Sequence, residues 1–147
     1  MASPASIKKH PLHPMLVAFP VGLWIFSLVA DVLGRVTDNE RWEAVALYAM
    51  GGGIVGALIA AIPGLVDLMA MRDPRVKRIG VLHMVINLVA VGVTFDFFLR
   101  WNGRTGDLPV ALSVVGVLLI LVGGWLGGEM VYVHGVAVEP QAASRRQ

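Results

Sequence analysis

The sequence contains no cysteine. Disulfides, thiolate zinc sites, Cys-ligated iron–sulfur clusters and covalent c-type haem attachment are therefore excluded, and any metal must be held by His, carboxylate or Met. Charge is scarce as well: 15% of residues are Asp, Glu, Lys or Arg, against roughly 25% in a soluble domain. Hydrophobic residues make up 56% of the chain, above the roughly 45–50% of soluble domains, which argues against an ordinary soluble fold. No Walker loop, nucleophile elbow, HExxH or EF-hand pattern occurs, so nucleotide and hydrolase chemistry have no support. The net charge is only +2, and the basic residues cluster in connections and ends, so no nucleic-acid partner is implied.

What is present is four apolar runs, 15–36, 44–71, 79–99 and 108–131, with lengths of 22, 28, 21 and 24 residues. About twenty residues of helix span a bilayer, so each run suffices. The runs take up 95 of 147 residues, too many to leave room for a separate soluble domain. The expectation is an all-α integral membrane four-helix antiparallel bundle over 15–135. A segment 1–14 precedes it and a tail 136–147 follows. The first seven residues are small and polar and the last dozen, 136–147, lose hydrophobic periodicity, so both ends read as loosely ordered. Lys8 and Lys9 precede the first run as in a signal peptide, but that run is of full spanning length without a clear small-residue cleavage site and reads as a retained helix. The connections 37–41, 72–78 and 102–107 are short and polar, as between antiparallel neighbours.

Lys8, Lys9, Arg72, Arg75, Lys77, Arg78, Arg145 and Arg146 share one side of this topology, against Arg35, Arg41, Arg100 and Arg104 on the other. The positive-inside rule then predicts a multi-pass protein in the lipid bilayer with both termini cytoplasmic. Trp42 and Trp101 fall at the outer interface and Tyr132 at the inner one. Small residues recur at helix-contact spacing in Gly52, Gly56, Ala60 and Gly64, in Gly123 and Gly127, and in Gly124 and Gly128. Such ridges serve packing within the bundle, with a homodimer interface as the alternative. Pro20 and Pro63 predict bends.

The ionisable residues well inside the runs are all acidic: Asp31, Asp67, Asp96 and Glu129. Asp31 and Asp96 lie toward the outer side, where i, i+4 pairs with Arg35 and Arg100 make a structural reading sufficient. The cytoplasmic half differs because all four histidines fall there. His10 and His13 precede the first helix, His83 opens the third, and His134 follows the fourth. Neutral imidazole ligates transition metals and haem iron, while carboxylates ligate directly or hold the second ring nitrogen, a role for Asp67 and Glu129. Each proline in His10-Pro11-Leu12-His13-Pro14 pushes its predecessor out of the helical region, so both histidines are expected on extended backbone. His83 and Asn87 share a helix face at i, i+4, and Glu129 and Tyr132 lie at i, i+3 just ahead of His134.

Each histidine alone reads as structural; four at one depth favour a ligand site. The expected metal ligands are His13, His83, His134, Asp67 and Glu129, with His10 as a further haem ligand and Asn87 and Tyr132 as orienting groups. The group held would be haem b or a transition-metal ion, with Arg72, Arg75, Lys77 and Arg78 available to haem propionates. Two other readings stay open. One is a proton or small-solute carrier using the intramembrane carboxylates. The other is a non-catalytic assembly subunit whose polar residues only lock helices together.

Four ordered segments carry a family resemblance: His10-Pro-Leu-His13-Pro-Met-Leu-Val-Ala-Phe-Pro20, Ala60-Ala-Ile-Pro-Gly-Leu-Val-Asp67, Gly80-Val-Leu-His83-Met-Val-Ile-Asn87, and Gly123 through Gly135 with Glu129, Tyr132 and His134. They resemble the bacterial predicted membrane proteins grouped as domain of unknown function 2231. The resemblance implies a four-helix protein of the bacterial inner membrane, in a family associated at times with Rieske-type iron–sulfur domains. A Rieske-type redox partner and electron transfer are what that association suggests.

Overall fold

The computed structural model describes residues 3–103 and 106–138, leaving aside the side chain of Phe95. Its helices are α1 (Leu12–Thr37), α2 (Arg41–Ala70), α3 (Pro74–Val93), α4 (Phe95–Trp101) and α5 (Asp107–Gly128), the last running into a π-helical turn, Glu129–Val133. Two short strands, β1 (Ser6–Ile7) and β2 (His10–Pro11), form an antiparallel hairpin before α1. Four segments are long and apolar enough to cross a membrane: α1, α2, α3 with α4, and α5 with the π-helical turn, of 26, 30, 28 and 27 residues. The all-α four-helix reading therefore holds.

The helices begin one to five residues earlier than the apolar runs, at Leu12, Arg41, Pro74 and Asp107, and α3 does so behind a side-chain cap. Before α3, Asp73 accepts a hydrogen bond from the Arg75 amide at 2.8 Å, and Pro74 fills the first helical position, where its missing N–H is no loss. The expected single third helix is broken at Thr94. The Thr94 hydroxyl donates to the Val91 carbonyl, and the Thr94 amide reaches the same oxygen at 3.1 Å, tightening the turn and ending the regular ladder.

The helices associate as two hairpins, α1 along α2 and α3 along α5, joined chiefly where α1 meets α5. Small residues set the close approaches. A methyl group on Gly56 would meet the Phe19 ring at 2.7 Å and one on Gly52 would meet Leu23 at 3.1 Å, so that ridge serves the α1–α2 contact. On α5 only the Gly123–Gly127 ridge faces α3; Gly124 looks onto open space. Trp24, Met50, Ala90 and Ile120 form the central core. Ile62, Leu65, Leu118, Leu121 and Trp125 point outward and exposed, a shell that suits lipid and not water.

Two expectations at the N-terminus are corrected. His13 lies inside the first turn of α1 and not on extended backbone. The first amides of a helix have no intrahelical partner, so Pro14 in that turn forfeits no hydrogen bond and the helix can start ahead of it. From Ser3 onward the segment is also not a loose tail. Ser3 Oγ donates to Asp67 Oδ1 at 2.6 Å and the Ala5 amide to the same oxygen at 3.3 Å, tying the segment across the end of α2. The hairpin turn places Lys8 and Lys9 at φ 47° and 68°, the left-handed pair that a two-residue turn of type I′ requires. Val136 packs against the end of the bundle. Residues 139–147 of the expected C-terminal tail, with Arg145 and Arg146, and Arg104 of the last connection lie outside the described residues.

Candidate functional site

Polar residues gather inside the bundle at its two ends. At one end, Arg100 of α4 donates from both terminal nitrogens to Asp31 of α1, at 2.6 and 2.9 Å. Its Nε lies 3.1 Å from both oxygens of Asp96. Ser113 of α5 accepts from Arg100 at 3.2 Å and donates to Asp96 at 2.9 Å. The three charged side chains are nearly sealed, at 10% exposure for Arg100, 3% for Asp31 and 1% for Asp96. The expected i, i+4 pair Asp96–Arg100 is present, but Asp31 does not pair with Arg35. The planar guanidinium fork reaches across the helices to take Asp31 bidentately, and Arg35 turns outward to Asp107 at 2.9 Å. The cluster clamps α1, α4 and α5 together with its hydrogen-bonding capacity largely spent internally.

At the opposite end one arrangement occurs twice. His13 Nδ1 donates to the Ala60 carbonyl of α2 at 2.7 Å, and its ring lies over Gly64, 2.7 Å from where a β-carbon would be. His83 Nδ1 donates to the Gly123 carbonyl of α5 at 2.8 Å, and its ring lies over Gly127, 3.3 Å from the corresponding position. In each hairpin a histidine of the first helix docks on the second helix, on a small residue and a glycine four positions further on; His13 is in the first turn of α1, whereas His83, expected to open its helix, lies in the middle of α3, which starts at Pro74. A carbonyl only accepts, so Nδ1 carries a proton in both rings. The two rings meet edge to face across the boundary between the hairpins, with centres 6.0 Å apart. Both side chains are half-buried.

The other expected site residues are distributed differently. Asn87 is half-buried and donates to the His83 backbone carbonyl at 2.7 Å, steadying the helix beneath the ring and not the ring itself. Asp67 is on the same side of α2 but spends an oxygen on Ser3 and Ala5. The ring-orienting role expected of Asp67 and Glu129 is filled by the carbonyls of Ala60 and Gly123, which the small residues leave open to a side chain. Glu129 is half-buried in the π-helical turn, while Tyr132 and His134 are exposed. His10 is exposed in the hairpin and donates to the Lys8 carbonyl at 2.9 Å. Among the described residues no group of three or more His, Asp and Glu side chains comes together as a metal site; of the five expected ligands, His13 and His83 are brought ring to ring. Composition and spacing missed the carbonyl partners, although the signal was legible as the Ala60–Gly64 and Gly123–Gly127 ridges.

The family described as predicted membrane protein (DUF2231) matches residues 9–140, a stretch that takes in both histidines, both carbonyl partners and the Arg100 cluster. No curated protein and no solved structure matches the chain.

Proposed function

The chain belongs to the DUF2231 family of predicted membrane proteins, and from that premise we propose that it is an integral membrane protein holding a transition-metal ion, in a redox role, between His13 and His83. The observation that carries this reading is the paired docking of the two imidazoles. Each ring has its Nδ1 fixed on a helix carbonyl, the arrangement that sets the tautomer and ring orientation of metal-ligating histidines. The ring centres lie 6.0 Å apart, within the span of two imidazoles bound to one ion at metal–nitrogen distances of about 2.0 Å, and turning one ring out of its edge-to-face contact would let both face that ion. Haem b is less well supported. A porphyrin plane between these rings would have to part the two hairpins, whereas a single ion needs only a small adjustment of the side chains.

The carrier reading has less behind it, because Asp31 and Asp96 are committed to Arg100 and Ser113. The basic residues at the histidine end support placing that end, with both termini, on the cytoplasmic side of an inner membrane. An electron partner, for which the family resemblance suggests a Rieske-type protein, would then dock against Lys8, Lys9, Arg72 and Arg75. The test is metal analysis and a visible spectrum of the purified full chain beside His83→Ala. Bound metal in the wild type and its loss in the variant are expected. A metal-free, colourless wild type that also takes up no added metal or haem would end the reading in favour of an assembly subunit.

A further inference from the structure

Between Met71 and Ile79 stand four cations, Arg72, Arg75, Lys77 and Arg78, and one acid, Asp73. Asp73 is occupied as the cap of α3, where it accepts from the Arg75 amide. All four cations are exposed. Among the described residues no ion pair engages them, whereas Arg35 and Arg100 at the opposite end both meet carboxylates. Helix periodicity puts Arg78 on the outward stripe of α3, with Arg75 and Lys77 to either side of it. The stripe continues as Leu82, Val85 and Val89, flanked by Val81 and Leu88, all between 41% and 55% exposed. The packed side of the helix lies opposite, where Val76, Gly80 and Ala90 are buried. The outward face therefore passes from cationic to apolar within one turn, with no acidic or neutral polar side chain between.

We infer that this face of α3 seats one anionic phospholipid, with its phosphate among Arg75, Lys77 and Arg78 and an acyl chain along Leu82, Val85 and Val89. The depth fits such an occupant. At 1.5 Å of rise per residue, Val89 lies about 16 Å beyond Arg78, close to the ~15 Å of hydrocarbon in one leaflet. The chemistry fits as well, because a guanidinium takes phosphate oxygens in pairs and an ammonium meets them as a point charge. A soluble anion would answer the cations and leave the apolar stripe without a partner; a lipid answers both at once. A zwitterionic headgroup brings its own ammonium toward the same cations, so the net-anionic class is the one selected, at about fivefold in affinity per cation. The inference is independent of the metal reading, and Lys77 and Arg78 lie outside the surface assigned to an electron partner.

The test is a titration of the full chain in a non-ionic detergent with phosphatidylglycerol and, in parallel, phosphatidylcholine of the same acyl chains, the bound lipids being counted by native mass spectrometry. The first phosphatidylglycerol should bind more tightly than phosphatidylcholine and than any second phosphatidylglycerol, and an excess of glycerol phosphate should not displace it. Lys77→Gln with Arg78→Gln should weaken that first step by roughly 25-fold, the product of about fivefold for each cation, with helical circular dichroism unchanged. Equal affinity for the two lipids would overturn the inference, as would wild-type phosphatidylglycerol affinity in the double variant. A series of phosphatidylglycerol molecules bound without a distinct first step would reduce the face to diffuse attraction, and displacement by glycerol phosphate would make it a bare phosphate site; either result also ends the proposal. If the double variant lost helicity, the two single substitutions would be read separately, each against the fivefold expectation. None of these outcomes bears on whether His13 and His83 hold a metal.

Discussion

The two ends of the bundle bury polar side chains in opposite ways. Around Arg100, two carboxylates, a guanidinium and a hydroxyl are joined to one another by six hydrogen bonds drawn from three helices. Around His13 and His83, each imidazole uses Nδ1 on a backbone carbonyl, which leaves Nε2 outside that bond. The charged cluster is the more conspicuous in the sequence, since intramembrane carboxylates announce a site by default. Yet a polar group marks a binding site by the valence it leaves over, not by its charge. The saturated end locks helices, and the other end is the one proposed to take a ligand.

Removing Arg100 tests the structural half of that contrast and should have the largest effect. Arg100→Met leaves Asp31 and Asp96 buried without their counter-charge, and breaking a buried pair in this way costs about 3–5 kcal/mol. Unfolding in detergent should show the loss, and adding Asp31→Asn and Asp96→Asn should recover part of it. Stability equal to wild type in Arg100→Met would mean the cluster is not what clamps α1 to α4 and α5.

Gly64→Ala attacks the other end through the cradle and not the ligand. The new β-carbon would lie 2.7 Å from His13 Nδ1, so the ring must leave its carbonyl, with an overpacking penalty of about 1–3 kcal/mol and loss of bound metal. Gly124→Ala, which meets nothing within 4 Å, is the control and should stay within about ±0.5 kcal/mol of wild type.

His83→Ala sharpens the comparison by separating binding from stability. It should remove the metal yet lower stability by only about 0.5–1.5 kcal/mol, the net worth of one hydrogen bond, as read from unfolding of the metal-free proteins. A loss as large as that of Arg100→Met would make the histidines structural after all. Asp67→Asn should have the smallest effect. It loosens Ser3 and Ala5 from α2, so amide exchange over residues 3–7 should speed up, while metal affinity falls by less than the about tenfold expected for a true ring-orienting partner. A larger fall would restore Asp67 to the role first expected of it.

Long apolar runs, polar connections and small-residue ridges are local in sequence and follow from the bilayer's thickness and from helix periodicity. The four spans, their antiparallel order and the gathering of the histidines toward one end were therefore legible before any coordinates. So was the Asp96–Arg100 pair, because i, i+4 contacts are set by one helix alone. The break at Thr94 was not, since a threonine hydroxyl bonds back to its own helix only in some settings. His13 was read as extended because the rule for residues preceding proline is statistical, and the helix overrides it in a first turn.

What the sequence by itself determined is depth: which residues lie at which end of the bundle, because helix rise per residue is constant. What only the tertiary structure decided is azimuth, the direction each side chain faces once four helices have packed, and this depends on which ridges interlock. Azimuth sends Asp31 to Arg100 and not to Arg35, turns Tyr132 and His134 outward, and brings the rings of His13 and His83 to 6.0 Å. It also replaces carboxylates by the carbonyls of Ala60 and Gly123 as partners of those rings, because close helix approach over Gly64 and Gly127 brings backbone within reach before any acidic side chain can arrive.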